Sequence, residues 1–131
     1  MKYLHTMVRV ADLDASIAFF ALLGLEETRR WDNEAGRFTL VFMAPPGQPE
    51  CPVELTYNWD TNSYDLGNAY GHIALEFDDI YAACAQIKAR GGIVSREPGP
   101  VLGGTTEIAF VKDPDGYAIE LIQTKTKLDD F

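Results

Sequence analysis

One pattern runs through this chain twice, and each copy carries a single histidine and a glutamate at matching places. The first copy runs from His5 through a helix-like stretch, Leu13 to Leu23, to Glu54; the second runs from His72 through Ile80 to Arg90, to Glu120. The step from His5 to Glu54 is 49 residues and from His72 to Glu120 it is 48, so the copies are offset by 67 and 66. No other histidine occurs in the chain. A repeat of about half the chain length limits the fold to two similar units of one supersecondary pattern. A His and a Glu kept in both copies suggest a four-ligand metal site on a pseudo-twofold axis.

Each copy opens with a strand. Tyr3 to Val10 alternates, with Leu4, Thr6, Val8 and Val10 on one face and Tyr3, His5, Met7 and Arg9 on the other. Its counterpart, His72 to Phe77, sets Ile73, Leu75 and Phe77 against His72, Ala74 and Glu76. A helix follows in both. Asp12 and Asp79 occupy equivalent N-cap positions, and Gly24 and Gly91 stand where a left-handed residue ends a helix. Leu13, Ile17 and Phe20 form the first apolar stripe, and Ile80, Cys84 and Ile87 the second. Strands close each copy: Arg37 to Met43 and Pro52 to Asn58, then Glu107 to Lys112 and Tyr117 to Gln123. Turns at Ala44 to Pro49 and Asp113 to Gly116 join them, using Pro and Gly in their usual turn roles.

The expected architecture is α+β, two tandem βαβββ modules. Residues 1–123 are read as one domain, with a first module over 1–59, a polar connector over 60–71 and a second module over 72–123. Residues 124–131 are read as a tail, because periodicity ends there.

Charge and composition narrow the function. A net charge of −9 argues against a protein that binds a phosphate backbone, and a hydrophobic content of 47% suffices for a real core. No apolar run approaches the ~18 residues that span a bilayer, and no signal pattern opens the chain. The two cysteines, Cys51 and Cys84, form neither a disulfide scaffold nor a close metal motif, and Cys84 lies on an apolar helix stripe as a buried, inert thiol. A soluble, cytoplasmic protein is expected.

Alternation puts Val53, Leu55 and Tyr57 toward the helix and leaves Glu54, Thr56 and Asn58 on the opposite face. Glu120 lies between Ile119 and Leu121 in the same way. Four strands therefore each aim one ligand-type side chain, His5, Glu54, His72 or Glu120, at the face away from the helices. An enclosed carboxylate without a partner is costly. Two imidazoles and two carboxylates together suit a borderline divalent metal. A lone strand histidine is more often structural, and a lone strand glutamate is usually solvated; the repeat equivalence of all four favours the metal.

Arg9 and Asn58 each follow a ligand by four residues on the same strand face, about 13 Å further along. They are read either as a surface arginine and a strand-end asparagine or as a polar anchor for a substrate lying across the metal, with Arg9 gripping a carboxylate. The second copy has Glu76 and Thr124 at those places, so one half alone builds the anchor. Gly103-Gly104-Thr105-Thr106 is open to two readings, an anion cradle or a flexible loop. Trp31 and Trp59 are read as packing or loop residues and are given no site role.

With these residues placed, the chain resembles the bacterial glyoxalase I (lactoylglutathione lyase) family of the vicinal-oxygen-chelate superfamily. The resemblance rests on Leu4-His5-Thr6-Met7-Val8-Arg9-Val10, Glu54 to Trp59, Gly67 to Ala74 and Asp113-Pro114-Asp115-Gly116-Tyr117, and it covers residues 1 to about 123. It implies the glyoxalase/bleomycin-resistance/dioxygenase fold, with curved mixed sheets forming a cavity in a homodimer whose sites lie at the subunit interface. It implies metal ligands at His5, Glu54, His72 and Glu120, with Ni2+ or Co2+ favoured over Zn2+ by the histidine at the first position and the short chain. It implies contacts from Arg9 and Asn58 to the γ-glutamyl end of glutathione. The implied activity is methylglyoxal detoxification: the glutathione hemithioacetal is isomerised to S-lactoylglutathione through a metal-stabilised enediolate, with Glu120 as the base and Glu54 as its pseudo-symmetric mate.

The sequence departs from that family in two places. Leu102 stands where a lysine is common, and the loop Ala21 to Gly24 is a residue short; both imply an altered affinity for glutathione. Three rivals are weaker. An acyl-CoA epimerase of the same superfamily needs a basic patch that this acidic chain lacks. A two-His-one-carboxylate dioxygenase would leave Glu54 superfluous, and a metal-free drug-binding protein would not carry all four ligands.

Overall fold

The repeat in the sequence reappears as a repeat in the backbone. A computed structural model describes residues 1–124 of the chain; the expected tail, apart from Thr124, lies outside the described residues. The chain divides into two compact units, one spanning Met1–Asp65 and the other beginning at Leu66, a division inside the expected connector. The first unit comprises β1 (Thr6–Arg9), α1 (Leu13–Leu22), β2 (Glu26–Asn33), β3 (Phe38–Ala44) and β4 (Val53–Asn58). The second comprises β5 (His72–Phe77), α2 (Ile80–Ala89), β6 (Ile93–Pro100), β7 (Glu107–Lys112) and β8 (Ala118–Gln123). This is the α+β, twice-βαβββ architecture expected.

Each unit has one four-stranded mixed sheet, ordered β1-β4-β3-β2 in the first and β5-β8-β7-β6 in the second. The opening strand runs parallel to the closing strand, β1 with β4 and β5 with β8. A parallel pair needs a long crossover, which the helix and the two outer strands supply. The metal-ligand candidates follow from this topology: it lays the histidine-bearing strand directly beside the glutamate-bearing strand in each unit.

Both helices begin and end as their sequences dictate. The Asp12 carboxylate accepts from Ala15 N at 3.0 Å, and the Asp79 carboxylate from Ala82 N at 3.0 Å, a cap worth about 1 kcal/mol. Gly24 and Gly91 have φ of +104° and +79°. Behind them Leu25 N reaches Phe20 O and Gly92 N reaches Ile87 O, at 3.0 and 2.8 Å. These closures, spanning five residues, satisfy carbonyls that a helix end would leave bare.

The stripe of α2 is as read: Ile80, Cys84 and Ile87 are all buried. Burial pushes the Cys84 thiol pKa up, with smaller effects from Glu97 and Lys88, in keeping with an inert side chain. The stripe of α1 is not as read. Leu13 and Ile17 are only half-buried, and the core face is Ser16, Phe19, Phe20 and Leu23. Nearly every position of α1 is apolar or small, so periodicity could not choose the face; packing against the sheet decides it, and Phe19 and Phe20 meet edge-to-face on the buried side, with centroids 5.8 Å apart.

Strand ends shift for identifiable reasons. The first strand is Thr6–Arg9, shorter than Tyr3 to Val10, and Leu4 is exposed. Its partner β4 starts at Val53, opposite Thr6, because Pro52 has no N–H to extend the ladder. Tyr117 precedes β8 instead of opening it, since its N–H is taken by the Asp113 carboxylate at 2.8 Å. The outer strands β2 and β6 were not assigned from the sequence. Both are edge strands rich in charge or proline, which is how sheet edges avoid further pairing.

The turn Asp113–Gly116 contains the one buried side-chain polar atom without a hydrogen-bond partner among the described residues, Asp113 Oδ2. Burial raises the Asp113 pKa to about 6, against the opposing hydrogen bonds from Tyr117 and Asp115. Between the ordinary aspartate value and 6, the folded chain keeps a proton that the unfolded chain has lost. Stability from this group is therefore present at low pH and falls as pH rises through 6. Urea unfolding at pH 4.5 and pH 7 should show the protein losing about 2 kcal/mol more than an Asp113→Asn variant over that interval.

Candidate metal centre

In the first unit, β1 and β4 bring His5 Nε2 to 3.0 Å from Glu54 Oε1. In the second, β5 and β8 bring His72 Nε2 to 3.2 Å from Glu120 Oε1. The imidazoles are 35% and 42% exposed, whereas the carboxylates are only 11% and 8% exposed. Each glutamate is flanked along its strand by aliphatic residues that turn to the core: Leu55 beside Glu54, and Ile119 and Leu121 beside Glu120, all fully buried. Alternation thus sends each carboxylate to the opposite face, where the ring nitrogen meets it.

One aromatic residue seats each ring. His5 packs edge-on against Phe42 with centroids 5.6 Å apart, and His72 packs edge-on against Phe110 at 5.2 Å. The register explains the match, since Phe42 lies opposite Glu54 and Phe110 opposite Glu120. The same His–Glu–Phe cluster is therefore built twice. The two copies differ in one respect. Thr56 Oγ1 donates to Glu54 Oε2 at 2.8 Å, whereas Ile122 occupies the equivalent place after Glu120 and has no hydroxyl.

The donor pairs fit a divalent ion. Two ligands each about 2.1 Å from one ion and roughly at right angles are themselves about 3 Å apart, the separation seen in both pairs. Each pair leaves coordination positions to fill, and among the described residues no group of three or more His, Cys, Asp or Glu side chains gathers to hold an ion. Each unit thus contributes two ligand candidates.

The other sequence candidates fall as follows. Arg9 is exposed on β1 opposite Thr56. Asn58 ends β4, and its Nδ2 donates to Tyr64 Oη at 3.0 Å. Both lie on the sheet face that carries His5 and Glu54. The Gly103–Thr106 stretch closes the β6–β7 hairpin, with Val101 N bonded to Thr106 O at 2.8 Å. Trp59 is a packing residue: its Nε1 donates to Thr39 at 2.9 Å and Arg37 lies over its ring. Phe42 and Phe110 were missed. Their offset of 68 in the repeat was a readable signal, masked because phenylalanine in a strand reads as core.

Comparison with known proteins finds relatives over nearly the whole chain. The family model described as the glyoxalase/bleomycin resistance protein/dioxygenase superfamily matches residues 2–121. A probable lactoylglutathione lyase of Vibrio cholerae is 57% identical over 126 residues, covering 95% of this chain and 91% of that protein. A lactoylglutathione lyase of Neisseria meningitidis serogroup A is 56% identical over 128 residues, covering 96% and 93%. Among solved structures, glyoxalase I from Zea mays matches with a TM-score of 0.89 at 41% identity, over 98% of this chain and 47% of the maize chain. This chain thus spans about half the length of the maize protein.

The hydrogen bond from the Thr56 hydroxyl to the Glu54 carboxylate gives a direct test of the site. Thr56→Val keeps the side-chain shape and removes one hydrogen bond that orients the carboxylate. Nickel affinity, read by calorimetric titration of metal-stripped protein, should fall about ten-fold, with the circular dichroism spectrum unchanged.

Proposed function

The chain belongs to the glyoxalase/bleomycin resistance protein/dioxygenase superfamily, and from that premise we infer that it is a lactoylglutathione lyase. It converts the hemithioacetal of methylglyoxal and glutathione to S-lactoylglutathione, a detoxification of methylglyoxal. Relatives with this activity in their names match nearly end to end at 52–57% identity. The observation that carries the reading onto this chain's residues is the His–Glu pair that each unit builds at repeat-equivalent places.

In this reading His5, Glu54, His72 and Glu120 hold one divalent ion per site, Ni2+ or Co2+ in preference to Zn2+. The protein is a cytoplasmic homodimer in which the first half of one chain faces the second half of its partner, so that each site draws two ligands from each. No helix among the described residues is long and apolar enough to cross a membrane.

A divalent ion so held supplies a Lewis acid that steadies the negative charge growing on the two substrate oxygens. Glu120 takes the proton from the carbon that bears the sulfur and the hydroxyl. It returns that proton to the neighbouring carbon, which began as the carbonyl, while the hydroxyl proton passes from the first oxygen to the second, so the reaction is an isomerisation without redox partner. Glu120 suits this work better than Glu54. With Ile122 where Glu54 has the Thr56 hydroxyl, Glu120 is the less tethered of the two carboxylates. Glu54, held more firmly, serves as ligand and as the matching group for the opposite stereoisomer. Arg9 and Asn58 hold the γ-glutamyl end, Arg9 by its guanidinium on the carboxylate and Asn58 through an amide that Tyr64 fixes in place.

Glu120→Gln should abolish thioester formation, followed by absorbance with nickel-loaded protein, while the thermal unfolding temperature stays within a few degrees of the parent. Turnover retained by the Glu120→Gln variant would exclude Glu120 as the base. Activity restored to metal-stripped enzyme by nickel or cobalt more than by zinc is the expected order.

A further inference from the structure

Four arginines belong to the first unit, and two are committed to ion pairs. Arg30 is paired with Glu27 and Arg37 with Asp60, each at 2.7 Å. Arg9 is on the candidate site's face. The fourth, Arg29, makes no ion pair among the described residues; its guanidinium lies over the Phe42 ring, 5.3 Å from the centroid.

The register places Arg29 in the candidate site. Arg29 lies opposite Phe42, Phe42 opposite Glu54, and Glu54 opposite Met7. These four form one row across the sheet, on the face that carries His5. Arg29 therefore stands on the far edge strand, β2, while Arg9 stands on the other edge strand, β1. Three strand spacings separate those edges, about 14 Å between backbones, and both side chains are long. The His5–Glu54 pair lies between them.

The second unit shows what such an arginine does when its role is purely structural. Arg96 is the repeat equivalent of Arg29, opposite Phe110, behind the same register shift; Thr28 donates to the Phe42 carbonyl and Ser95 to that of Phe110. Arg96 gives its donors to backbone. Its Nη1 reaches the carbonyls of Gly99 and Ile108 at 2.8 and 2.7 Å, and its Nη2 that of Pro100 at 2.8 Å. A second register shift, between Arg96 and Gly99, turns those carbonyls toward it. Strand β2 has only the shift between Glu27 and Arg29 and offers no such cage. Stacking on Phe42 uses the flat face of Arg29 and leaves the N–H fork at its rim for an anion.

We propose that Arg29 is a specificity-determining residue that grips the glycine-end carboxylate of glutathione, opposite the γ-glutamyl end held by Arg9 and Asn58. This rests on the glutathione reading above. The substrate's shape fits the placement: an extended tripeptide spans about 10 Å, has a carboxylate at each end, and carries its sulfur on the central residue. Two guanidinium groups bracketing the metal pair hold such a molecule by both ends and bring its middle to the reacting centre.

The test compares binding of S-methylglutathione and of its glycine-amide analogue, by calorimetry on nickel-loaded protein. The parent protein should bind the amide about ten-fold more weakly, the loss of one charge-assisted contact. Arg29→Met, which keeps the stem over Phe42, should lose about ten-fold for S-methylglutathione and lose nothing further for the amide. Arg29→Gln supplies the same comparison if the Met variant does not fold, and Arg29→Lys should fall between. Arg96→Met should lower the unfolding temperature and leave the preference for the free carboxylate intact. An Arg29→Met protein that keeps the parental preference overturns the proposal while the lyase reading stands. A parent protein that neither turns over the hemithioacetal nor binds S-methylglutathione overturns the lyase reading, and the role of Arg29 with it.

Discussion

The placement of a carboxylate next to a fully buried aliphatic core is the constraint on which the rest of this structure depends. Glu54 and Glu120 sit on inner strands, almost fully buried, beside Leu55, Ile119 and Leu121, which have no exposure at all. A strand cannot bury those neighbours without sending the glutamate to the other face at the same height. Left alone there, an ionised carboxylate would cost several kcal/mol. The parallel pairing of β1 with β4, and of β5 with β8, answers that cost by setting an imidazole nitrogen about a hydrogen bond away. The topology and the chemistry are thus one decision: a parallel neighbour has to arrive by a crossover, and α1 and α2 are the crossovers.

Much of this was legible because the chain states it twice. A single Asp before an apolar run is weak evidence for a helix start, but Asp12 and Asp79 at one offset, with Gly24 and Gly91 at the same offset, are hard to obtain by chance. The four ligand candidates were readable for the same reason. What could not be read shares a physical cause. Strands β2 and β6 carry little hydrophobic signal, since an edge strand contributes few side chains to the core and gains from charge that deters further pairing. Their residues, Glu26 to Asn33 above all, show no alternation that marks a strand until the partner strand is known. The buried face of α1 was misjudged at Leu13 and Ile17 because a helix with almost no polar residues has no preferred face by pattern. Position of the sheet decided it.

The pairing of rings with histidines was hidden for another reason. Phe42 and Phe110 look like core residues, and by burial they nearly are. Their second role comes from cross-strand register, which places each directly opposite a glutamate, and register is settled by turns and by neighbouring strands. The register shifts in β2 and β6 are equally invisible in sequence, yet they set Arg29 and Arg96 opposite Phe42 and Phe110 and lay Arg29 over its ring. A bulge that re-aims one side chain beside a functional site is a recurrent use of that irregularity.

Duplication explains why the two halves could diverge in chemistry while the scaffold stayed the same. Once the caps, the crossover and the parallel pair hold each unit, residues on the outward face of the sheet are under no packing obligation and can specialise. Thr56 became a tether for one carboxylate, whereas Ile122 left the other without one. Arg96 was drawn into its own strand by a second register shift, whereas Arg29 kept a single shift and a stacked, outward guanidinium. Neither change touches the aliphatic neighbours that enforce the His–Glu pairing. Each half therefore presents a like pair of donors, His5 with Glu54 and His72 with Glu120, in an unlike surround.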